Sequence, residues 1–302
     1  MNTQTIVLNR KNVVTNTNNT KYIYKFPKSI NVLNNEVAIA SLNMYYSWPN
    51  IQTVYNNNVF TYKWWDYYGI LTSVQKVIIP DGNYSISTLS SFIQSQMLLR
   101  GHYIKDIRTG NKVFFIDLLE NPTYYACEIT FTSMFGKGTT SAGNYINENP
   151  PSTYVDSSGN TVLKGWDYPS TPQYPQVIMS PTEAMKDFLG FIAGTYPQNA
   201  PITTTFDVLG TVTPMTYPVS AINIQSNFCC SQISIPNNIL YSFSQGSASY
   251  GDLILKEPQN LIWCKIPDGT YSQLELQFID QDFNPMKILD SQINIIILVR
   301  DA

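Results

Sequence analysis

Residues 271–300, near the end of the chain, constrain its fold most strongly. Three apolar residues alternate with Gln and Glu between Gln273 and Phe278, which is the period of two expected of a strand with one buried and one solvated face. Residues 280–285 are rich in turn formers. A second strand at 293–299 closes the chain and is apolar on both faces. Such a strand is either central in a sheet or covered by another layer, so the sequence predicts a layered β structure.

Strand-like segments also fill both ends of the remaining chain. The expected strands are 22–26, 36–46, 59–65, 73–79, 203–209, 219–229, 232–235, 240–244, 253–256 and 261–266. Between these two groups, apolar spacings of three and four predict a helix over 87–99, with Ser85 or Ser87 as its N-cap. A hairpin is expected over 112–131. A second short helix, opened by Ser180, is expected to end at Phe188.

The order of these elements predicts the fold class and the domains. We expect a mainly β protein, a single jelly-roll β-sandwich with a mixed α+β insertion. The sandwich is assigned to residues 21–80 and 200–302. The insertion is assigned to 81–199, with two short helices and a projecting loop region at 136–175. Residues 1–20 are polar and rich in Asn and Thr, with one short strand-like segment at 5–8, and we interpret them as an extended N-terminal arm.

The low charge of the chain bears on its partners. Only 13% of the residues are charged, against about 25% in a typical soluble domain, and 21 residues are Tyr. Weak self-repulsion and a Tyr-rich surface both favour protein–protein association. An AT-rich genome would also raise the Asn and Tyr content, and the sequence leaves both explanations open. A net charge of −3 and a pI of 5.2 argue against a dedicated nucleic-acid-binding domain.

Signatures of catalysis, phosphate binding and metal binding are missing from the sequence. The single histidine, His102, is expected to be a structural residue at a helix end, and no G-x-S-x-G, G-x-G-x-x-G or G-x-x-x-x-G-K-[ST] motif occurs. Asp280, Asp282 and Asn284 imitate the start of an EF-hand loop, but Pro285 stands where Gly is required. We therefore predict a hairpin turn there, and no catalytic residue, cofactor or metal. An enzyme with two glycosidase carboxylates leaves no motif and stays a distant alternative.

The cysteines and the N-terminus give expectations about compartment. The four cysteines are Cys127, Cys229, Cys230 and Cys264. They form no C-x-x-C pair, and we expect buried, reduced thiols. Residues 1–14 lack the apolar segment of a signal peptide. The longest aliphatic run, 295–299, falls far short of the ~20 residues that span a membrane.

Adjacent aromatic residues form several clusters, of which the most crowded lies at 64–68. Such clusters can stack on sugars or bases, or they can be core and interface residues, which we favour. By crowding of aromatics alone, the residues predicted to make contacts between subunits are Trp64, Trp65, Tyr67 and Tyr68.

Several segments occur in the same order as in the penton-type minor capsid proteins of virophages and Polinton-like viruses. These segments are the strand at 22–26 followed by Glu36-Val37-Ala38-Ile39-Ala40-Ser41-Leu42 and Tyr46-Ser47-Trp48-Pro49-Asn50-Ile51, then Ile79-Pro80-Asp81-Gly82-Asn83-Tyr84-Ser85-Ile86 before a helix, Phe188-Leu189-Gly190-Phe191 at the end of the later helix, and the terminal hairpin-like segment 278–300. The chain resembles this family over most of its length, and the resemblance is weakest over 132–178.

The resemblance implies a single jelly roll whose homopentamers close the vertices of an icosahedral capsid. A double-jelly-roll major capsid protein would form the surrounding capsomers, and the insertion would project outward. The protein would be structural and non-enzymatic, located in the virion and assembled inside the infected host cell, with no membrane and no specific nucleic acid as partner. The alternative from a different class is a viral receptor- or carbohydrate-binding β-sandwich, spike or lectin-like, for which the aromatic clusters are the evidence.

Overall fold

The computed structural model describes residues 3–148, 152–155, 161–198, 205–231 and 235–302. The chain divides into two compact units. The sandwich unit comprises Met1–Pro49 and Tyr217–Ala302, and the inserted unit comprises Asn50–Thr216. Strands are numbered in chain order through both units.

The sandwich unit consists almost entirely of strands. They are β1 (Thr3–Asn9), β2 (Lys21–Val32), β3 (Asn35–Tyr45), β16 (Ile222–Ser226), β17 (Ile239–Phe243), β18 (Leu253–Lys256), β19 (Cys264–Lys265), β20 (Gly269–Asp280) and β21 (Ile293–Asp301). A short 3-10 helix, Arg10–Asn12, follows β1.

The inserted unit mixes strands with two α-helices. Its strands are β4 (Val59–Trp64), β5 (Ser73–Ile78), β6 (Ile104–Asp106), β7 (Lys112–Val113), β8 (Ile116–Asn121), β9 (Ala126–Thr132), β10 (Tyr145–Ile146), β11 (Ser152–Val155), β12 (Thr161–Lys164), β13 (Gln176–Met179), β14 (Gly194–Tyr196) and β15 (Thr205–Leu209). Its helices are α1 (Ile86–Leu99), α2 (Met185–Leu189) and the 3-10 turns Thr53–Tyr55 and Ala142–Asn144.

The strand order of the sandwich unit is that of a jelly roll. One sheet has the order β1-β21-β3-β18, with β19 also paired to β3, and the other has the order β17-β16-β20-β2. Every pairing is antiparallel. Setting β19 aside, the first and last strands pair, then the second and second-to-last. This is the order left when one long antiparallel hairpin is rolled up. The predicted fold class, a mainly β jelly-roll sandwich, is confirmed.

The terminal segment forms strand, turn and strand as expected, but its two strands do not pair with each other. Strand β20 lies between β16 and β2 in one sheet, and β21 lies between β1 and β3 in the other. The central position of β21 explains why it is apolar on both faces. The Asp280 carboxylate accepts hydrogen bonds from the Asp282 and Asn284 amides at 2.9 and 2.8 Å, so these residues organise a turn, as predicted.

The core of the sandwich unit is built from the inward-facing residues of both sheets. In β21 these are Ile293, Ile295 and Ile297, and in β20 they are Leu274, Leu276 and Phe278, all buried. The alternation read from the sequence thus sets which face of each strand is buried.

Residues 1–20, interpreted from sequence as an arm, contain a full strand in the structure. Strand β1 pairs along its whole length with β21, and Ile6 and Leu8 lie in the core. These two apolar residues, two positions apart, are the physical reason for the difference, because their burial ties β1 to the sheet. Polar turns then follow, with left-handed backbone at Asn16, Asn18 and Asn19.

The boundaries between the two units also differ from those expected. Strands β4 and β5, which the sequence assigned to the sandwich, pair with each other and, through β4, with β13 of the inserted unit. The inserted unit therefore runs over 50–216 and not 81–199. The physical reason is that the buried aromatic face of β4 packs into the core of the inserted unit.

The helices and hairpin of the inserted unit lie close to the predicted places. Helix α1 begins after Ser85, whose Oγ accepts a hydrogen bond from the Thr88 amide, and it buries Leu89, Ile93 and Met97. Strands β8 and β9 form the expected hairpin. Helix α2 is shorter than predicted because 180–184 forms a turn before it. Residues 149–151 and 156–160 of the predicted loop region lie outside the described residues. So do 203–204 of the predicted strand 203–209 and 232–234 of the predicted strand 232–235, whereas 205–209 form β15.

Candidate functional site: an aromatic recess of the inserted unit

The aromatic cluster singled out in the sequence is centred on Trp64, the last residue of β4. Its ring stacks on His102 with centroids 4.9 Å apart. Trp65 and Trp166 meet it edge to face at 4.7 and 5.3 Å, and Phe115 lies 6.0 Å away. Edge-to-face pairs of this kind add to the energy of burial. The cluster is therefore a rigid support under the neighbouring surface.

His102 is held in this cluster as a neutral ring. The Tyr62 hydroxyl lies 2.7 Å from His102 Nδ1. Burial, with a smaller contribution from the nearby Arg100 charge, lowers the pKa of His102 to about 3. The histidine lies just past the end of α1, as expected, but it is buried and not on the surface. A base with so low a pKa stays unprotonated near neutral pH, so general acid catalysis by His102 is not supported.

The indole N–H groups of Trp166 and Trp65 are also bound. Trp166 Nε1 donates to the Gly101 carbonyl at 2.6 Å, and Trp65 Nε1 donates to Gln173 Oε1 at 3.1 Å. These bonds fix both rings from positions distant in the sequence.

The surface over the cluster is a tight turn held by Asp66. Its Oδ1 accepts hydrogen bonds from the Tyr68 and Ile70 amides, both at 2.9 Å, and its Oδ2 accepts one from Thr72 at 2.8 Å. Burial raises the pKa of Asp66, but these hydrogen bonds outweigh it and hold the pKa below its ordinary value. Gly69 has φ +73° and lies against the Tyr168 carbonyl, where a Cβ would come within 2.2 Å. The turn therefore presents its side chains in one fixed arrangement.

This turn borders a recess of about 400 Å³. The lining residues are Trp65, Asp66, Tyr67, Tyr68, Ser73, Gln75, Arg100, His102, Gly165 and Trp166. Tyr67 and Tyr68 meet edge to face at 5.3 Å. The recess thus combines aromatic rings with hydroxyl, amide and carboxylate groups, a mixture suited to a small polar ligand such as a sugar.

The four predicted contact residues separate into two pairs. Trp64 and Trp65 are 0% and 1% exposed and belong to the core of the inserted unit. They cannot make contacts between subunits while this core is intact, which corrects the expectation for these two. Tyr68 is 70% exposed and Tyr67 is half-buried, so both remain candidates. The alternation of Phe60, Tyr62 and Trp64 along β4 was the sequence signal that this face is buried.

Three residues of the recess were not anticipated as a group. Arg100, His102 and Trp166 lie far from 64–68 in the sequence, and no local pattern connects them. Arg100 Nη2 donates to the Lys76 carbonyl at 2.7 Å. Only the fold brings these residues together.

A second candidate surface lies on the sandwich unit. Strand β18 is at the edge of its sheet, next to β3. Leu253 and Leu255 point away from the core and are 54% and 55% exposed, whereas Ile254 between them is buried. An edge strand with exposed apolar side chains favours association with another chain.

Two absences concern the described residues alone. Among them, no group of three or more His, Cys, Asp or Glu side chains is placed to hold a metal ion. No helix in the same part of the chain combines the length and apolar character that a membrane crossing requires.

Comparisons with known proteins give structural likenesses only. No family model and no curated protein sequence matches the chain. The structure is similar to the crystal structure of the Mavirus penton protein, with 12% identity, a TM-score of 0.44, and 99% of this chain and 100% of that chain covered. It is also similar to a chain of the cryo-EM structure of the Sputnik virophage, with 10% identity, a TM-score of 0.34, and 99% and 97% covered.

Proposed function

We propose that the protein is a structural capsid protein that forms pentameric vertices of an icosahedral virion and catalyses no reaction. The observation that carries this proposal is the jelly-roll strand order of the sandwich unit, an architecture used repeatedly in viral capsids. Because a fold alone does not fix a function, the proposal also draws on the sequence segments that resemble virophage penton proteins.

The surface properties of the sandwich unit support a role in assembly. Charged residues are few and the net charge is small, so like subunits repel one another weakly. The exposed leucines of β18, Leu253 and Leu255, supply an apolar contact at a sheet edge. We propose this edge as part of the contact between subunits, with Tyr67 and Tyr68 as a further contact surface of the inserted unit.

The partners in this proposal are other copies of the chain and a double-jelly-roll major capsid protein. In this proposal the protein is located in the virion, after assembly inside the infected host cell. A closed ring of five identical subunits needs two complementary surfaces on each subunit.

The test is the solution mass of the purified chain, measured by size exclusion with light scattering over a range of concentrations and salt. The expected mass is five times that of the 34.2 kDa chain. The double variant L253E/L255E is expected to give monomers, whereas Leu99→Glu, at a more exposed leucine of α1, is expected to keep the ring. If the wild type is monomeric alone, co-expression with the major capsid protein must give pentamers. A trimer, or a monomer even with that partner, would contradict the proposal.

A second candidate function, a receptor- or carbohydrate-binding protein, is favoured by the aromatic recess. Tyr68 offers an exposed ring, and Ser73 and Gln75 offer polar groups beside it. A glycan array with wild type and Tyr68→Ala tests this candidate. Binding that the substitution abolishes would support it, and an array with no bound glycan would count against it.

A further inference from the structure

The fold brings two cysteines distant in sequence into contact in the sandwich unit. Cys229 follows β16, and Cys264 opens β19. The Cys230 amide donates to the Lys265 carbonyl at 3.4 Å, so the backbones of the two segments lie side by side. Because β16 and β19 belong to different sheets, the contact between their cysteines lies across the sandwich.

The two thiols are held together over one strand. Cys229 and Cys264 lie close enough for each thiol to shift the pKa of the other. Cys229 Sγ donates to the Ile239 carbonyl at 3.1 Å, and Cys264 Sγ lies 3.9 Å from the carbonyl of Leu240. Both sulfurs therefore lie against two neighbouring residues of β17.

The pair is chemically asymmetric. Cys229 is buried, whereas Cys264 is partly exposed. The interaction between the two thiols lowers the pKa of Cys264 and raises that of Cys229. A thiolate is the reactive form of cysteine, so Cys264 is the sulfur that meets an oxidant first and Cys229 is the one that reacts second.

We propose that Cys229 and Cys264 form a reversible disulfide that covalently joins the two sheets of the sandwich unit. The oxidant is a low-molecular-weight disulfide such as oxidised glutathione. The Cys264 thiolate attacks one of its sulfurs, which breaks the S–S bond, forms a mixed disulfide and releases one thiolate. Cys229 then loses its proton, attacks the Cys264 sulfur and releases the second thiolate. Two protein thiols are oxidised, and one small disulfide is reduced to two thiols.

The other two cysteines provide internal controls. Cys127 lies in the inserted unit, where burial raises its pKa to about 12, so it is expected to stay inert. Cys230 is exposed, but its sulfur lies against Asn237 Nδ2 at 3.7 Å and not in the pair. All four cysteines are free thiols in the structure, as expected, but Cys230 and Cys264 are not fully buried.

The experiment uses the full chain, incubated under native conditions with oxidised glutathione or with a reducing agent. Thiols are then counted after unfolding in guanidinium, and the cross-link is mapped by mass spectrometry of the non-reduced peptides. The wild type, with four cysteines, is expected to keep two titratable thiols. In Cys127→Ser and in Cys230→Ser, oxidation is expected to consume the same two thiols, those of Cys229 and Cys264. In Cys229→Ser and in Cys264→Ser, no disulfide within the chain is expected.

Oxidation is also expected to raise the Tm of the sandwich unit by about 10 °C, because the disulfide closes a loop of roughly 35 residues. Four titratable thiols in the oxidised wild type would overturn the proposal. So would a cross-link that maps to Cys230 and persists unchanged in Cys229→Ser, or one that joins separate chains. If a serine variant fails to fold, the disulfide mapped in the oxidised wild type still tests the proposal.

Discussion

Replacement of Trp64 is the sharpest test of the difference between sequence crowding and structural burial. The side chain is fully buried and packs against five other aromatic groups, namely Tyr62, His102, Trp65, Trp166 and Phe115. Truncation of such a residue to alanine removes both the buried area and the ring contacts. We expect Trp64→Ala to lower the free energy of unfolding of the inserted unit by about 3–5 kcal/mol.

A milder substitution of Trp64 separates the stability contributed by the size of its ring from that contributed by its N–H group. The Trp64 Nε1–H has no hydrogen-bond partner among the described residues. Trp64→Phe therefore loses ring volume but no hydrogen bond, and we expect a loss of about 1–2 kcal/mol. Tyr68→Ala, at a residue that is 70% exposed, is expected to cost less than about 0.5 kcal/mol.

Hydrogen exchange followed by mass spectrometry measures the loss of stability separately in each unit. A loss of about 3–5 kcal/mol corresponds to amide exchange about 10²–10⁴ times faster in β4 and α1. Amides of β21, in the sandwich unit, are expected to keep their protection. If Trp64→Ala and Tyr68→Ala had equally small effects on exchange and Trp64→Ala instead changed the oligomeric state, Trp64 would be an interface residue and the argument from burial would fail.

Three further perturbations have expected outcomes. Gly190→Ala puts a Cβ 2.3 Å from the Val212 carbonyl at φ +74° and should lower the Tm in calorimetry clearly more than Gly110→Ala, where φ is +75° but the space is open. Burial lowers the pKa of His102 to about 3, below its unfolded value near 6.5, so the unfolded state binds more protons than the folded state between these two pH values. The free energy of unfolding, measured by urea titration, should therefore be highest above pH 6.5 and fall as the pH drops toward 3. The variant His102→Gln should weaken this pH dependence. Deletion of residues 1–9 removes β1, uncovers the edge of β21, and should give aggregation in light scattering where the full chain stays dispersed.

The sequence predicted those features that depend on local period. Alternation indicated which face of β20 is buried, and the spacing of Leu89, Ile93 and Met97 located α1. The same alternation cannot say which sheet a strand joins. Strand β4 has an apolar face that would suit either unit, and its pairing with β13 depends on residues more than 100 positions away.

The candidate sites show the same limit. Crowding of aromatics located the recess, but adjacent residues differ in burial because one turn separates Trp65 from Tyr68, and the turn is set by Asp66 and Gly69. The thiol pair had no sequence signal at all, since Cys229 and Cys264 meet only when the two sheets close on each other.

The position of the inserted unit suggests that the jelly roll folds without it. Strands β3 and β16, which flank the insertion, take all their partners from the sandwich unit. The two ends of the inserted unit are joined by one side chain, because Asn50 Nδ2 donates to the Tyr84 and Thr216 carbonyls, both at 2.9 Å. A short Gly-Ser linker can therefore replace 50–216 with a low entropic cost of loop closure. We expect the excised protein to be monodisperse, with cooperative unfolding and protected amides in β21. A collapsed product without such protection would mean that the sandwich depends on its insertion, and that the two units are not independent in folding.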